Sequence, residues 1–202
     1  MSATEDSPPD WRDFSGDPLS PLLRSATQTF VARGYHGTTT RMLAAAAGMS
    51  VPGLYHHFAS KQALIVAIMD AAMIELRERS LGALTEAGDD AGAQLDLHIE
   101  CLALFHAHRR ELALLASTEL RSLDPTERDH HIAARDAQER MLVDILQRGV
   151  DQGVFTVDDA RQLARALATM STGISQWYSP AGPLTPADIA ASYIAYARRL
   201  TS

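Results

Sequence analysis

The stretch from Thr38 to Lys61 constrains the fold of this chain more than any other. It reads T-T-T-R-M-L-A-A-A-A-G-M-S-V-P-G-L-Y-H-H-F-A-S-K. Thr39 suits a helix N-cap, because its hydroxyl can accept a bond from one of the free N–H groups of a first turn. Arg41 to Ala47 favour helix, and Gly48 ends it by supplying the left-handed residue that helix C-termini often need. Ser50 caps a second helix, with Pro52 in a first turn that has no use for its missing N–H. Leu54 and Phe58 lie four apart and share a face. Ser60 then caps a third helix. Two short helices joined by a tight glycine-containing turn form a helix-turn-helix, and in DNA-binding versions the second helix enters the major groove.

Charge supports that reading once it is divided along the chain. The formal net charge is −7, which is unexpected for a nucleic-acid binder. From Pro18 to Val66, however, the charged residues are Arg24, Arg33, Arg41 and Lys61, with no Asp or Glu. A surface facing phosphate needs such an acid-free stretch. The surplus of acid lies before residue 18 and after residue 66.

The remaining sequence predicts helices throughout. Residues 1–17, rich in Ser, Pro and Asp, are expected to be a flexible arm. Ser20 and Pro21 open a helix through Leu22, Leu23, Ala26, Phe30 and Val31 that Gly34 stops. The helix after Ser60 continues through Leu64, Ile68, Ala72 and Leu76 toward Leu84. Gly82, Gly88 and Gly92, with Asp89 and Asp90, predict a loosened connection. Further helices are expected from about Gln94 to Ala107, Arg110 to Leu123, Pro125 to Gln152 (opened by Asp124), Asp158 to Tyr178 and Pro186 to Leu200. No segment alternates as a strand does. The expected fold class is all-α: a three-helix DNA-binding domain over 18–66, then a larger helical domain over 67–202. With 46% apolar residues the chain can build a core. The single cysteine, Cys101, excludes an internal disulfide framework and fits a reducing cytoplasm. No signal peptide or membrane span is expected.

The N-terminal third resembles the TetR family of bacterial transcriptional regulators. The resemblance rests on Phe30, Gly34-Tyr35, Thr38-Thr39, Arg41, Leu43-Ala44, Ala47-Gly48-Met49-Ser50, Leu54-Tyr55-His56-His57-Phe58 and Ser60-Lys61-Gln62-Ala63-Leu64, in one ungapped register. It implies a homodimer that reads a palindromic double-stranded operator, repression relieved by a small effector, and a C-terminal domain that binds the effector and pairs through its last two helices. Carried onto this chain, Thr39, Arg41, Tyr55, His56 and Lys61 are backbone contacts, and Ser50, Val51, Pro52 and Gly53 are the positions that read bases. Val51 and Pro52 depart from the commoner polar or basic residue and glycine, and offer apolar contact such as that to a thymine methyl. Leu43, Ala47, Leu54 and Phe58 are expected in the core.

From Glu119 on, E-L-R-S-L, G-V-D-Q-G-V-F and W-Y-S-P-A-G-P-L-T-P-A-D-I-A-A-S-Y are similar to a TetR subgroup that responds to acyl-CoA thioesters. An acyl-CoA or other apolar effector is therefore implied, in a slot with a few polar groups fixing its head. Expected wall residues are Leu102, Phe105, Leu115, Met141, Ile145, Met170 and Trp177. Expected polar contacts are His98, His106, Glu119, Arg121 and Arg135. Alanine-rich faces and the apolar Leu163, Leu167, Ile174 and Ile194 are expected to form a four-helix dimer interface. No cofactor or metal is expected: adjacent histidines such as His56-His57 diverge on a helix, and His98, His106 and His108 lack the i, i+4 pairing of a zinc helix. Cys101 lacks a strained nucleophile turn or ordered triad, so an enzyme is not expected. The rival reading is a DNA-binding dimer with no effector.

Overall fold

The five capping residues expected from sequence each start a helix in the computed structural model, which describes residues 10–202. Ser20 accepts from Leu23 N and opens α1 (Pro21–Gly37). Thr39 accepts from Met42 N and opens α2 (Thr40–Ala46). Ser50 accepts from Gly53 N and opens α3 (Val51–His57), and Ser60 accepts from Ala63 N and opens α4 (Lys61–Ala87). α5 (Ala91–His108), α6 (Arg110–Thr118) and a 3-10 turn (Glu119–Ser122) follow. Asp124 caps α7 (Pro125–Asp151). α8 (Ala160–Trp177) and α9 (Pro186–Leu200) end the chain, α9 opening with a capping box between Thr185 and Asp188. The described residues contain no strand, and the fold is all-α. No helix among them is long and apolar enough to cross a membrane.

One hydrophobic core runs through the whole molecule. It takes Phe30 from α1, Leu43 from α2, Leu54 from α3, Leu64 to Leu76 from α4, and continues through Ile99, Leu115, Leu142 and Leu167. α4 passes unbroken through residues 66 and 67, where the two domains were expected to meet, and ends at Gly88 with φ of 64°. A second cluster joins Ala83, Cys101, Leu104, Ile174 and Ile189.

Four local expectations are corrected. Gly34 does break α1, with φ of 69° and ψ of 167°, but helix resumes to Gly37. The Glu119 carboxylate accepts from Tyr35 N at 3.3 Å and so caps the resumed turn. Gly82 lies inside α4 because Trp11 packs over it: a Cβ there would stand 3.1 Å from that of Trp11. α6 ends at Thr118, where its last turn tightens into the 3-10 segment.

The fourth correction concerns the expected flexible arm. Residues 1–9 lie outside the described residues, but 10–17 are strapped across α4 and α5. Trp11 is buried and donates to Glu86 at 2.7 Å. Arg12 bonds Glu86 and Glu100, both at 2.7 Å. Phe14 stacks on His108 with centroids 4.6 Å apart, and the Arg79 guanidinium lies 3.7 Å from its ring centre. Arg79 and Arg109 share the buried carboxylate of Glu75 at 2.6 and 2.9 Å. Arg109 also donates to Gly16 O at 2.6 Å. Two aromatic residues and three guanidiniums hold down a segment whose composition reads as loose.

Candidate nucleic-acid interface and ligand cavity

The turn between α2 and α3 closes by two backbone bonds, Gly48 N to Ala45 O at 3.1 Å and Met49 N to Ala44 O at 2.8 Å. Gly48 has φ of 67°, so this is the left-handed closure expected of a glycine at that position. It sets the orientation of α3. Leu54 is fully buried, and Val51 and Phe58 pack against the core from its inner side. Pro52, Tyr55 and His56, at i, i+3 and i+4, face outward together. Thr39 and Arg41 are exposed at the start of α2, beside its free N–H groups.

The expected DNA contacts thus separate into two sets. Thr39, Arg41, Pro52, Tyr55 and His56 stand on the outer surface. The Ser50 hydroxyl is engaged with Gly53 N at 3.1 Å, and Gly53 is half-buried. Val51 is drawn into the core contact, because residues 51, 54 and 58 share the inward face of α3. Lys61 also differs from expectation. Its Nζ donates to Tyr35 O at 2.7 Å and Thr38 O at 2.8 Å, and lies 4.0 Å from the Tyr35 ring centre. The ammonium therefore ties the end of α1 to the start of α4 and fixes the backbone that leads into α2.

In the larger helical domain, α4 to α8 line a cavity of about 640 Å³ that opens to solvent where Arg135, Asp136, Thr169 and Gln176 are exposed. Of the twelve residues expected at a ligand, Leu102, Phe105 and His106 line it. So does Arg135, also expected as a polar contact. The other eight stand elsewhere. His98, Leu115 and Ile145 are buried in the packed interior. Glu119 holds Tyr35 N and accepts from Ser122 at 2.7 Å. Arg121 points to solvent and Trp177 is half-exposed. Met141 and Met170 are partly buried off the wall.

The wall instead draws on five helices. α4 gives Ala72, Met73 and Leu76, and α6 with its 3-10 extension gives Ala113, Ala116, Ser117 and Leu120. α7 adds His131 and Leu142, and α8 adds Thr172. The α6 residues recur at i, i+3, i+4 and i+7 and are mostly small. That pattern was the available sequence signal for empty space beside a helix. The size suits a small organic ligand. Burial holds the His106 and His131 imidazoles neutral, with their pKa values pushed down to about 4. Neither ring nitrogen of His131 has a hydrogen-bond partner.

The expected dimer residues divide in the same way. Leu167 and Ile174 are 2% and 0% exposed within one subunit, so they pack internally and offer nothing to a partner. Their positions on the inward face of α8 place them against the core. Leu163 and Ile194 are partly buried, while Trp177, Tyr196 and Leu200 are the apolar side chains left open on α8 and α9.

The chain matches two family models. Residues 22–68 match "Bacterial regulatory proteins, tetR family", and residues 88–201 match "Tetracyclin repressor-like, C-terminal domain". It is 31% identical over 179 residues to the HTH-type transcriptional repressor KstR2 of Mycolicibacterium smegmatis, covering 86% of this chain and 85% of that one. Among solved structures, the TetR family transcriptional regulator PfmR from Thermus thermophilus superimposes with a TM-score of 0.81 at 31% identity, covering 89% and 98% of the two chains. The ketosteroid transcriptional regulator KstR2 of Mycobacterium tuberculosis gives a TM-score of 0.81 at 26% identity, with 90% and 93% covered. With both family models matched in order, and a cavity behind a helix-turn-helix, this chain belongs to the TetR family of bacterial transcriptional regulators.

Proposed function

We propose that the protein is a homodimeric repressor that binds a palindromic operator and releases it when a small apolar effector fills the cavity. The observation that carries the DNA half is the outward face of Pro52, Tyr55 and His56 within the longest acid-free stretch of an acidic chain. In this reading α3 lies in the major groove. Tyr55 and His56 reach the DNA backbone or a base edge, Pro52 gives apolar base contact, and Thr39 and Arg41 with the α2 N-terminus hold phosphate. Lys61 acts by positioning that terminus. The dimer forms through α8 and α9 with Trp177, Tyr196 and Leu200 at the seam.

The effector half rests on the cavity, whose apolar walls leave room for an acyl group such as that of an acyl-CoA or another body of similar size. The rival, a DNA-binding dimer without effector, assigns no role to a ligand-sized space lined by five helices.

Electrophoretic binding to the DNA upstream of the protein's own gene tests the first half. Sequence-specific retention that survives competitor DNA is expected, and binding without sequence preference that vanishes as salt rises sinks it. A thermal-shift series of acyl-CoAs and apolar small molecules tests the second half, and no stabilisation by any of them counts against it.

A further inference from the structure

Several polar atoms on the cavity wall are free only to accept. The Ser117 hydroxyl donates to Leu114 O at 2.8 Å. Thr169 donates to Arg165 O at 2.7 Å and Thr172 to Ala168 O at 2.9 Å. Each hydroxyl has thereby spent its only hydrogen on its own helix and turns lone pairs toward other partners. His106 is more constrained still. Its Nδ1 lies 2.7 Å from Leu102 O, and a carbonyl oxygen can only accept. Nδ1 therefore carries the proton, and in the neutral ring Nε2 is a lone-pair acceptor. Burial keeps the ring neutral. Nε2 makes no hydrogen bond among the described residues. The carboxylates of Asp136 and Glu139 on the same wall are further acceptors, although Glu139 is partnered by Arg165 at 3.6 Å.

Donors share the wall with these acceptors, but the sense of the His106 site is fixed. Gln138 donates to Ser80 at 2.6 Å and so spends one amide hydrogen away from a ligand. Arg135, Gln176 and the unpartnered His131 remain as donors. A plain acyl chain, a thioester carbonyl or a ketone carries no hydrogen to give. Such a ligand would cover Nε2 of His106 without pairing it, and a buried acceptor stripped of water and left unpaired opposes binding. A hydroxyl corrects this, since it donates to His106 and still accepts from a group such as His131.

We propose that the cavity selects an apolar small molecule bearing at least one hydroxyl, which donates to Nε2 of His106. The inference rests on the reading of this cavity as the effector site and adds the chemical class of the effector. A carbon frame without a donor enters the cavity but is held less tightly.

The test is calorimetric titration of the full-length protein with 2-decalol and with 2-decalone, which share a bicyclic apolar frame and differ in the donor. The alcohol is expected to bind on the order of tenfold more tightly, the worth of one ordinary hydrogen bond. His106→Phe is expected to lower that preference to less than about threefold while ketone binding persists. The wild-type protein supplies a second readout that does not depend on how the variant folds. The ¹⁵N resonance of the pyridine-like His106 nitrogen should lie further upfield in the decalol complex, where it accepts a hydrogen, than in the decalone complex, where it accepts none. Equal or tighter binding of the ketone overturns the hydroxyl inference and leaves the cavity as a binding site. Binding of neither compound, with no shift at His106, overturns both.

Discussion

The surface proposed to face DNA and the cavity are built by opposite means. The surface is made within a single short stretch, by two seven-residue helices whose caps, turn and faces all follow from neighbours in sequence. The cavity gathers side chains from Ala72 to Gln176, on five helices, none of which defines it alone. Local rules therefore specify an exposed recognition face, whereas an internal space exists only where separate helices fail to fill the gap between them. The difference also predicts how each region responds to change. Outer residues of α2 and α3 should govern DNA binding with little effect on folding, while the residues that hold the helices apart should govern stability.

The largest effect is expected at Glu75. Its buried carboxylate pairs with both Arg79 and Arg109, and through Phe14 and Gly16 it also secures the N-terminal strap. Glu75→Ala leaves two guanidiniums facing each other without a counter-charge. A loss of about 3–5 kcal/mol is expected, read from urea unfolding. A change below about 0.5 kcal/mol would remove the strap from the stability argument.

Acidification comes next. His98, His106 and His131 each have a folded pKa pushed down to about 4 by burial, below the ordinary value of 6.5. The unfolded chain therefore binds more protons between those limits. The stability that comes from keeping these rings neutral is fully present above about pH 6.5 and is lost as pH falls toward 4. Each ring adds a slope approaching ~1.4 kcal/mol per pH unit inside that window. Thermal unfolding from pH 7 to 4.5 should show a falling Tm, and His98→Leu should make the fall shallower. A Tm that is flat over this range contradicts neutral burial of the three rings.

Lys61→Met separates the two regions more finely. It removes the bonds to Tyr35 O, which still accepts from Thr38 N, and to Thr38 O, so a loss of about 1–3 kcal/mol is expected, chiefly from Thr38 O left unpaired. DNA affinity should fall with it, because α2 is no longer held, yet the salt dependence of binding should not change. A salt slope reduced by about one would instead mark Lys61 as a direct phosphate contact. The smallest effect on stability is expected at Arg41, whose side chain is exposed. Arg41→Ala should leave the fold within about 0.5 kcal/mol while lowering DNA affinity and reducing the salt slope by about one. Loss of stability without loss of affinity would reverse the roles assigned to Arg41 and Lys61.

Much of the architecture was legible in the chain. Ser20, Thr39, Ser50, Ser60 and Asp124 announce helix starts because a cap acts within three residues of itself. The inward Leu54 and the outward Tyr55 and His56 follow from helical spacing alone. The cavity was legible only in part. Leu102, Phe105 and His106 are on its wall, but Leu115 and Ile145, equally apolar and equally inward, are in solid core. Spacing tells which face of a helix turns inward and not whether another helix fills the space opposite. Leu167 and Ile174 show the same blindness, since an apolar face on α8 meets the subunit's own core before it can meet a partner. The N-terminal segment misleads for a related reason: its Pro and Asp read as loop, while Trp11 and Phe14 find their partners far along the chain, on α4 and α5.

The sequence by itself determined an all-α chain, a helix-turn-helix from Thr38 to Lys61, and the charge division that places this region in the longest acid-free stretch. These depend on interactions over a few residues and on counts. Tertiary structure decided that Lys61 holds backbone rather than projecting outward, that Glu119 caps a broken α1, and that small residues on α6 leave a largely apolar cavity with His106 on its wall. Each of these outcomes turns on which groups distant in sequence come within bonding distance, and pairing of that kind is settled only when the helices pack.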